Sequence, residues 1–176
     1  MKIYLISNNS FLCQGLISMS KQLGICIDKI EFEDLPLSIS TLNDIVIMHL
    51  CAETSHLSKY IKLINRRYKL IVLQTSSKII QCNADVVLSS KIDRKSFVFE
   101  LCQLKEKEKN FENKVEPLNA FEKAVLANSL EGRSISIIAS ALNISIKKAY
   151  DYRYNACRKF GGNNVKDLLL IKDSII

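Results

Sequence analysis

The run Ser134-Ile-Ser-Ile-Ile-Ala-Ser-Ala-Leu-Asn-Ile-Ser-Ile-Lys-Lys-Ala-Tyr-Asp-Tyr-Arg-Tyr-Asn-Ala-Cys-Arg-Lys159 reads as two helices joined at a tight corner. Ser134 can cap a helix that turns Ile135, Ile138, Ala139 and Leu142 inward, and Asn143 can leave it through a left-handed residue. Ser145 then caps a second helix, with Ile146, Ala149, Ala156 and Phe160 at helical spacing on one side and Lys147, Lys148, Asp151, Tyr154 and Arg158 on another. A small-residue inner face lets this helix pack closely while its outer face stays long, basic and aromatic. Such a pair suits a groove in nucleic acid, although most amphipathic helix pairs are only core and a basic outer face is usually a solvated one.

From Leu118 onward the residues are similar to the LuxR/FixJ (NarL-like) family of DNA-binding domains. Leu118, Glu122, Val125, Leu126 and Gly132 fall where that family opens, and Ile138-Ala139, Leu142, Ile144-Ser145, Asn155, Lys159 and Gly161 follow in register without a gap. The resemblance implies a four-helix, helix-turn-helix domain over 118–176. Asn119 and Glu122 form a capping box for its first helix, whose core face is Phe121, Val125, Leu126 and Leu130. Gly161-Gly162 stops the recognition helix, Asn163 or Asn164 caps the fourth, and Val165, Leu168, Leu169 and Ile171 form a stripe that either pairs two copies or finishes the monomer core.

The 176 residues are 48% hydrophobic, enough for one moderate domain or two small ones, and the net charge of +7 favours anionic partners. The six cysteines are scattered without a Cys-x-x-Cys pair, which argues against a metal site and for reduced core thiols. No apolar run is long enough to cross a bilayer and no signal peptide is evident, so a soluble, cytoplasmic protein is expected.

The first hundred or so residues alternate short apolar runs with helical segments. Strands are expected at 2–6, 25–32, 44–50, 70–73 and 84–88, and helices at 10–23, 57–67 and 96–104, the first of these burying Phe11, Leu12, Leu16, Ile17 and Leu23. This is α/β, a flavodoxin-like (βα)5 layout over 1–104, followed by an all-α unit. In this layout the segment resembles a response-regulator receiver with altered chemistry, a pseudo-receiver. A receiver gathers carboxylates after its first strand to hold magnesium, and Ser7-Asn8-Asn9 stands there; its acceptor aspartate ends the third strand, where His49 falls. Gln74 or Thr75 takes the place of the switch hydroxyl, and Ser90 or Lys91 that of the lysine. With Asn8 and Asn9 at the acidic positions, aspartyl-phosphate chemistry, a metal and a cofactor are not expected.

Between the two parts, 105–117 alternates charges and ends in Pro117, the composition of a solvated linker. If the second helix lies in the major groove of double-stranded DNA, phosphates fall to Ser145 and the amides after it, with Lys147, Lys148 and Lys159. Tyr150, Asp151, Tyr154 and Arg158 then face base edges. The family's Thr-Val-Lys-x-His is replaced by Lys148-Ala149-Tyr150-Asp151-Tyr152, so sequence preference should differ from typical members. The resemblance also implies a homodimer, or a heterodimer with a related response regulator, and contact with RNA polymerase. Asp151 and the missing lysine favour an alternative, an interaction protein that captures a related regulator and binds DNA weakly. No spacing of nucleophile and base suggests an enzyme.

Overall fold

The computed structural model describes residues 1–36, 43–76, 78–109 and 115–175. Strands β1 (Ile3–Ile6), β2 (Asp28–Lys29), β3 (Ile45–Leu50), β4 (Lys69–Gln74) and β5 (Val86–Ser89) form one parallel sheet in the order β2-β1-β3-β4-β5. Every pairing is parallel, with Tyr4 opposite Val46, Val46 opposite Leu70 and Val72 opposite Val87. All positions of β3 and β4 are buried, because a central parallel strand is covered on both faces. This is the flavodoxin-like sheet expected from the sequence.

Alternation along the strands divides the core in two. Leu5, Ile47, Ile71 and Leu73 face helices α1 (Ser10–Gln22) and α3 (Arg94–Glu106), meeting Cys13, Leu16, Met19, Phe97 and Leu101. Tyr4, Val46, Met48, Leu70 and Val72 face the other way. On that side lie the 3₁₀ helix Ser55–Tyr60 and the short α2 (Ile61–Asn65), then the chain's last third. Leu126, Leu130, Ala156, Phe160, Leu168, Ile171 and Ile175 all belong to the same hydrophobic cluster as this sheet face. The two parts of the chain therefore share one core.

That sharing changes several expectations. No helix stands between β4 and β5 among the described residues. Gln74 instead clamps the connection, donating to the Ile80 carbonyl at 2.8 Å and accepting from the Ile80 amide at 2.9 Å, and the Gln81 amide donates to the Phe160 carbonyl at 2.9 Å. The charged segment after α3 is not wholly solvated. The Lys109 ammonium is buried against Asp85 and Asn65, and Val115 is buried in the shared core; residues 110–114 lie outside the described residues. In the first helix the buried stripe is Cys13, Leu16, Met19 and Ser20, because the helix lies on the sheet with this face inward, which turns Phe11 outward to 88% exposure. Leu23 is also exposed. The second strand is two residues long rather than eight, continued by one bond from the Ile30 amide to the Leu5 carbonyl.

The last third contains α4 (Ala120–Leu130), α5 (Ile135–Ala141) and α6 (Ile146–Lys159). A 3₁₀ helix over Val165–Ile171 and the single turn α7 (Lys172–Ile175) follow. Where four helices were expected there are three α-helices of seven residues or more, and the place of the fourth is taken by a 3₁₀ helix and a single α-turn. Its Leu168 and Ile171 are fully buried against the N-terminal half, so this stripe completes the monomer core, and of the expected stripe Leu169 is exposed. Of the six cysteines, Cys13, Cys82 and Cys157 are buried, and burial pushes the Cys82 thiol up to about 12; Cys26 and Cys102 are exposed.

Candidate nucleic-acid interface

Three local signals place α5 and α6. The Ser134 hydroxyl accepts from the Ile137 amide, Asn143 turns the chain with φ of 52°, and the Ser145 hydroxyl accepts from the Lys148 amide at 3.2 Å. The corner is thus a left-handed residue two positions ahead of a new cap. Behind α6, Ala149 and Ala156 are fully buried with Cys157 beside them, and this floor of small side chains brings α6 close to α4. Gly161 ends the helix with φ of 77°, and a Cβ on Gly162 would stand 3.1 Å from the Leu168 side chain and 3.3 Å from the Cys157 carbonyl, so a larger residue there would have to displace these neighbours where the following 3₁₀ helix folds back.

The outward face carries Lys147, Lys148, Tyr150, Asp151, Tyr154 and Arg158, all exposed. Ser145 and its first-turn amides stand at the exposed start of the helix. Two expectations change. Ile146, assigned to the inner face, is 51% exposed, because the buried line runs through Ala149, Ala156 and Cys157 and leaves the first turn beyond the core. Lys159 does not point outward: its ammonium donates to Glu122 at 2.9 Å, to the Pro117 carbonyl at 3.0 Å, and pairs with Glu116 at 3.0 Å. Those partners, the hydrogen bond to Glu122 foremost, raise the Lys159 pKa. Burial alone would raise the Glu122 carboxyl, but the Lys159 and Asn119 hydrogen bonds with the Lys159 charge outweigh it and hold the group below its usual range. Lys159 thus ties the end of α6 to the start of α4.

Sequence reasoning passed over Asn155, exposed between Asp151 and Arg158 on the same face, and Arg153. Asn155 had entered only as a family landmark; the 3.6-residue period alone puts it on the outer line. The rings on α6 are each engaged. The Arg153 guanidinium lies 4.8 Å from the Tyr150 ring centre, the Arg158 guanidinium 5.7 Å from that of Tyr154, and Tyr152 stacks at 5.3 Å on Phe121, which is exposed instead of core.

At the ends of the strands, Ser7, His49, Thr75 and Ser90 form a chain of hydrogen bonds. Ser7 Oγ lies 3.1 Å from His49 Nδ1, His49 Nε2 lies 2.7 Å from Thr75 Oγ1, and Thr75 Oγ1 lies 3.0 Å from Ser90 Oγ. Of the residues left as alternatives, Thr75 and Ser90 belong to this chain of hydrogen bonds, while Gln74 is the loop clamp and Lys91 is exposed. Asn8 and Asn9 are exposed, and Asn9 caps α1 by accepting from the Leu12 amide at 3.0 Å. Among the described residues no three His, Cys, Asp or Glu side chains are grouped to hold a metal. Burial lowers the His49 pKa. Because the unfolded state then takes up this proton first, stability should fall as pH drops below about 6.5 and hold constant above it. Thermal melts across that range should show the slope in the natural chain and a shallower one in His49→Gln.

No protein-family model and no curated protein matches the chain. Solved structures do. A structure of two RcsB dimers bound to two parallel DNAs shares 21% identity at a TM-score of 0.62, covering 100% of this chain and 99% of that one. RcsB from Salmonella enterica serovar Typhimurium bound to a promoter shares 18% identity at 0.61, covering 98% and 97%. The two-component response regulator RcsB in complex with DNA shares 19% at 0.59, covering 100% and 99%. At these identities the likeness is one of fold, and over its whole length this chain has the fold of these response-regulator structures.

Proposed function

We infer that the chain is a sequence-specific, DNA-binding transcriptional regulator of LuxR type, with α6 lying in the major groove and an N-terminal pseudo-receiver that pairs without aspartyl phosphorylation. The observation that carries this reading is α6 itself: a basic and aromatic outer face, exposed, held on a floor of alanines at the end of a tight helix-turn-helix corner. The fold-level likeness to RcsB structures described as DNA complexes supports it. Base edges fall to Tyr150, Asp151, Asn155, Tyr154 and Arg158, and phosphates to Ser145, Lys147 and Lys148. Selection of duplexes from a random pool by the purified chain tests this. A recovered motif whose binding weakens with salt supports it, and failure to enrich any sequence overturns it. Loss of phosphorylation is supported by a buried His49 with both ring nitrogens engaged, and a stoichiometric adduct in intact mass after acetyl phosphate would refute it.

Pairing is supported by the α1 surface. Phe11 stands out at 88% exposure beside a hollow of about 280 Å³ lined by Leu12, Leu16, Leu73, Ile92 and Phe97. A knob and a hollow in one patch suit a two-fold contact between identical surfaces. Phe11→Glu should convert a dimer to a monomer in light scattering while leaving the melting temperature near that of the natural chain.

The alternative partner for this patch is a related response regulator. Asp151 favours that reading, since an exposed carboxylate at the centre of the α6 face disfavours phosphates unless it accepts from a cytosine amine. Binding of DNA only in the presence of such a regulator would select it. Contact with RNA polymerase stays a corollary of the regulator reading.

A further inference from the structure

At the edge of the outward face of α6, a notch of about 570 Å³ opens between the helix and the start of the 3₁₀ helix Val165–Ile171. Its walls include Tyr150, Arg153 and Tyr154 on one side and Asn163 and Lys166 on the other. Arg153 is rooted on the inward side of α6, about 200° round from Asp151 at roughly 100° per residue. Only the length of its side chain brings the guanidinium out, laid along the Tyr150 ring at 4.8 Å. An arginine delivered in this way loses little further freedom on meeting a ligand. Lys166, exposed, faces the same space from the opposite wall.

The backbone amides nearby are already engaged. Asn163 donates to Asp167 at 2.7 Å and Asn164 at 3.3 Å, while the Lys166 amide donates to the Asn164 side chain at 2.9 Å. The Asp167 carboxylate is thus turned to its own helix start, and those hydrogen bonds, the Asn163 amide first, hold its pKa low. What the notch offers an anion is the pair of side-chain cations. The Asp151 carboxylate also lines the notch and works against an anion beside it, so an anion there depends on the Arg153 and Lys166 side chains.

We propose that this notch seats a phosphodiester of the DNA strand bordering the groove that α6 enters, with Arg153 and Lys166 as its cations and Tyr150 as the ring that positions Arg153. The inference rests on the DNA-binding reading above and adds a second backbone contact to the one at Ser145, so that α6 is held from both sides of the groove. Contacts to phosphate carry no sequence information, and each one adds to the salt dependence.

The test is fluorescence anisotropy with the full chain and a selected duplex over a series of potassium chloride concentrations. Arg153→Gln and Lys166→Gln should each weaken binding roughly fivefold near physiological salt, equally on unrelated duplexes, and lower the slope of log K against log salt by about 1. Arg153→Lys should restore the slope, which a merely structural role for Arg153 would not require. Unchanged affinity and slope in Lys166→Gln, an exposed substitution that spares the core, would overturn the proposal. So would an altered sequence preference, which would make these residues base readers. If the natural chain binds no duplex, the DNA-binding reading itself falls, whereas tight binding indifferent to both substitutions removes the notch alone.

Discussion

Ile171→Ala should destabilise the entire chain, sheet included, by about 2–5 kcal/mol, the range for removing a fully buried Ile side chain. Ile171 has no exposed surface, and it lies in the cluster that joins Val46, Met48 and Val72 of the sheet to Leu126, Ala156 and Phe160 of the last helices. The cavity would therefore open at the seam between the two parts. For a chain of this size the melting temperature should fall by roughly 4–20 °C. Hydrogen exchange supplies the discriminating measurement: amides of β3 and of α4–α6 should lose protection together, as one cooperative unit. Protection kept over Ile45–Leu50 while α4–α6 open would show two independent cores and defeat this account of the seam.

The shared core is also the part of the fold that was hardest to read from the residues. Buried parallel strands announce themselves, and β3 with its run Ile45-Val-Ile-Met-His-Leu50 is apolar on both faces wherever it is placed. Caps are equally legible, because Asn119, Ser134, Ser145 and Asn164 each act through an amide two or three residues away. What local pattern does not carry is which distant surface an apolar stripe meets. Leu168 and Ile171 look the same whether they face a second copy or Leu57 and Ile61 of their own chain. Phe11 shows the same limit in reverse, since a phenylalanine in the first turn of a helix reads as core until the roll of that helix on the sheet is known. In the candidate site, the outer residues of α6 followed from periodicity, while the inward hold on Lys159 depended on Glu116 and Glu122, far away in sequence.

That division between outward and inward cations sets the size of the second large effect. The substitutions Lys147→Ala, Lys148→Ala and Arg158→Ala, combined, should lower affinity for the selected duplex on the order of 100-fold near physiological salt and reduce the salt slope by about 2, one for each lysine set against a phosphate. The three side chains are exposed on α6, so their loss leaves the core untouched and the melting temperature close to that of the natural chain. Lys159 gives the contrast. Its ammonium is bound to Glu122, Glu116 and the Pro117 carbonyl, so Lys159→Met should lower the melting temperature by freeing the start of α4 while the salt slope of whatever remains folded stays the same. Stability at acid pH sharpens this test. The Glu122 pKa is depressed in the folded state, so its contribution is present above the unfolded carboxylate pKa of about 4.3 and is lost as pH falls through the folded value. In Lys159→Met the hydrogen bond and charge that depress it are gone, and that acid-side loss should shrink. A salt slope that drops with Lys159→Met but holds in the triple variant would reverse the assignment and place the DNA on the face of α6 that the structure turns toward α4.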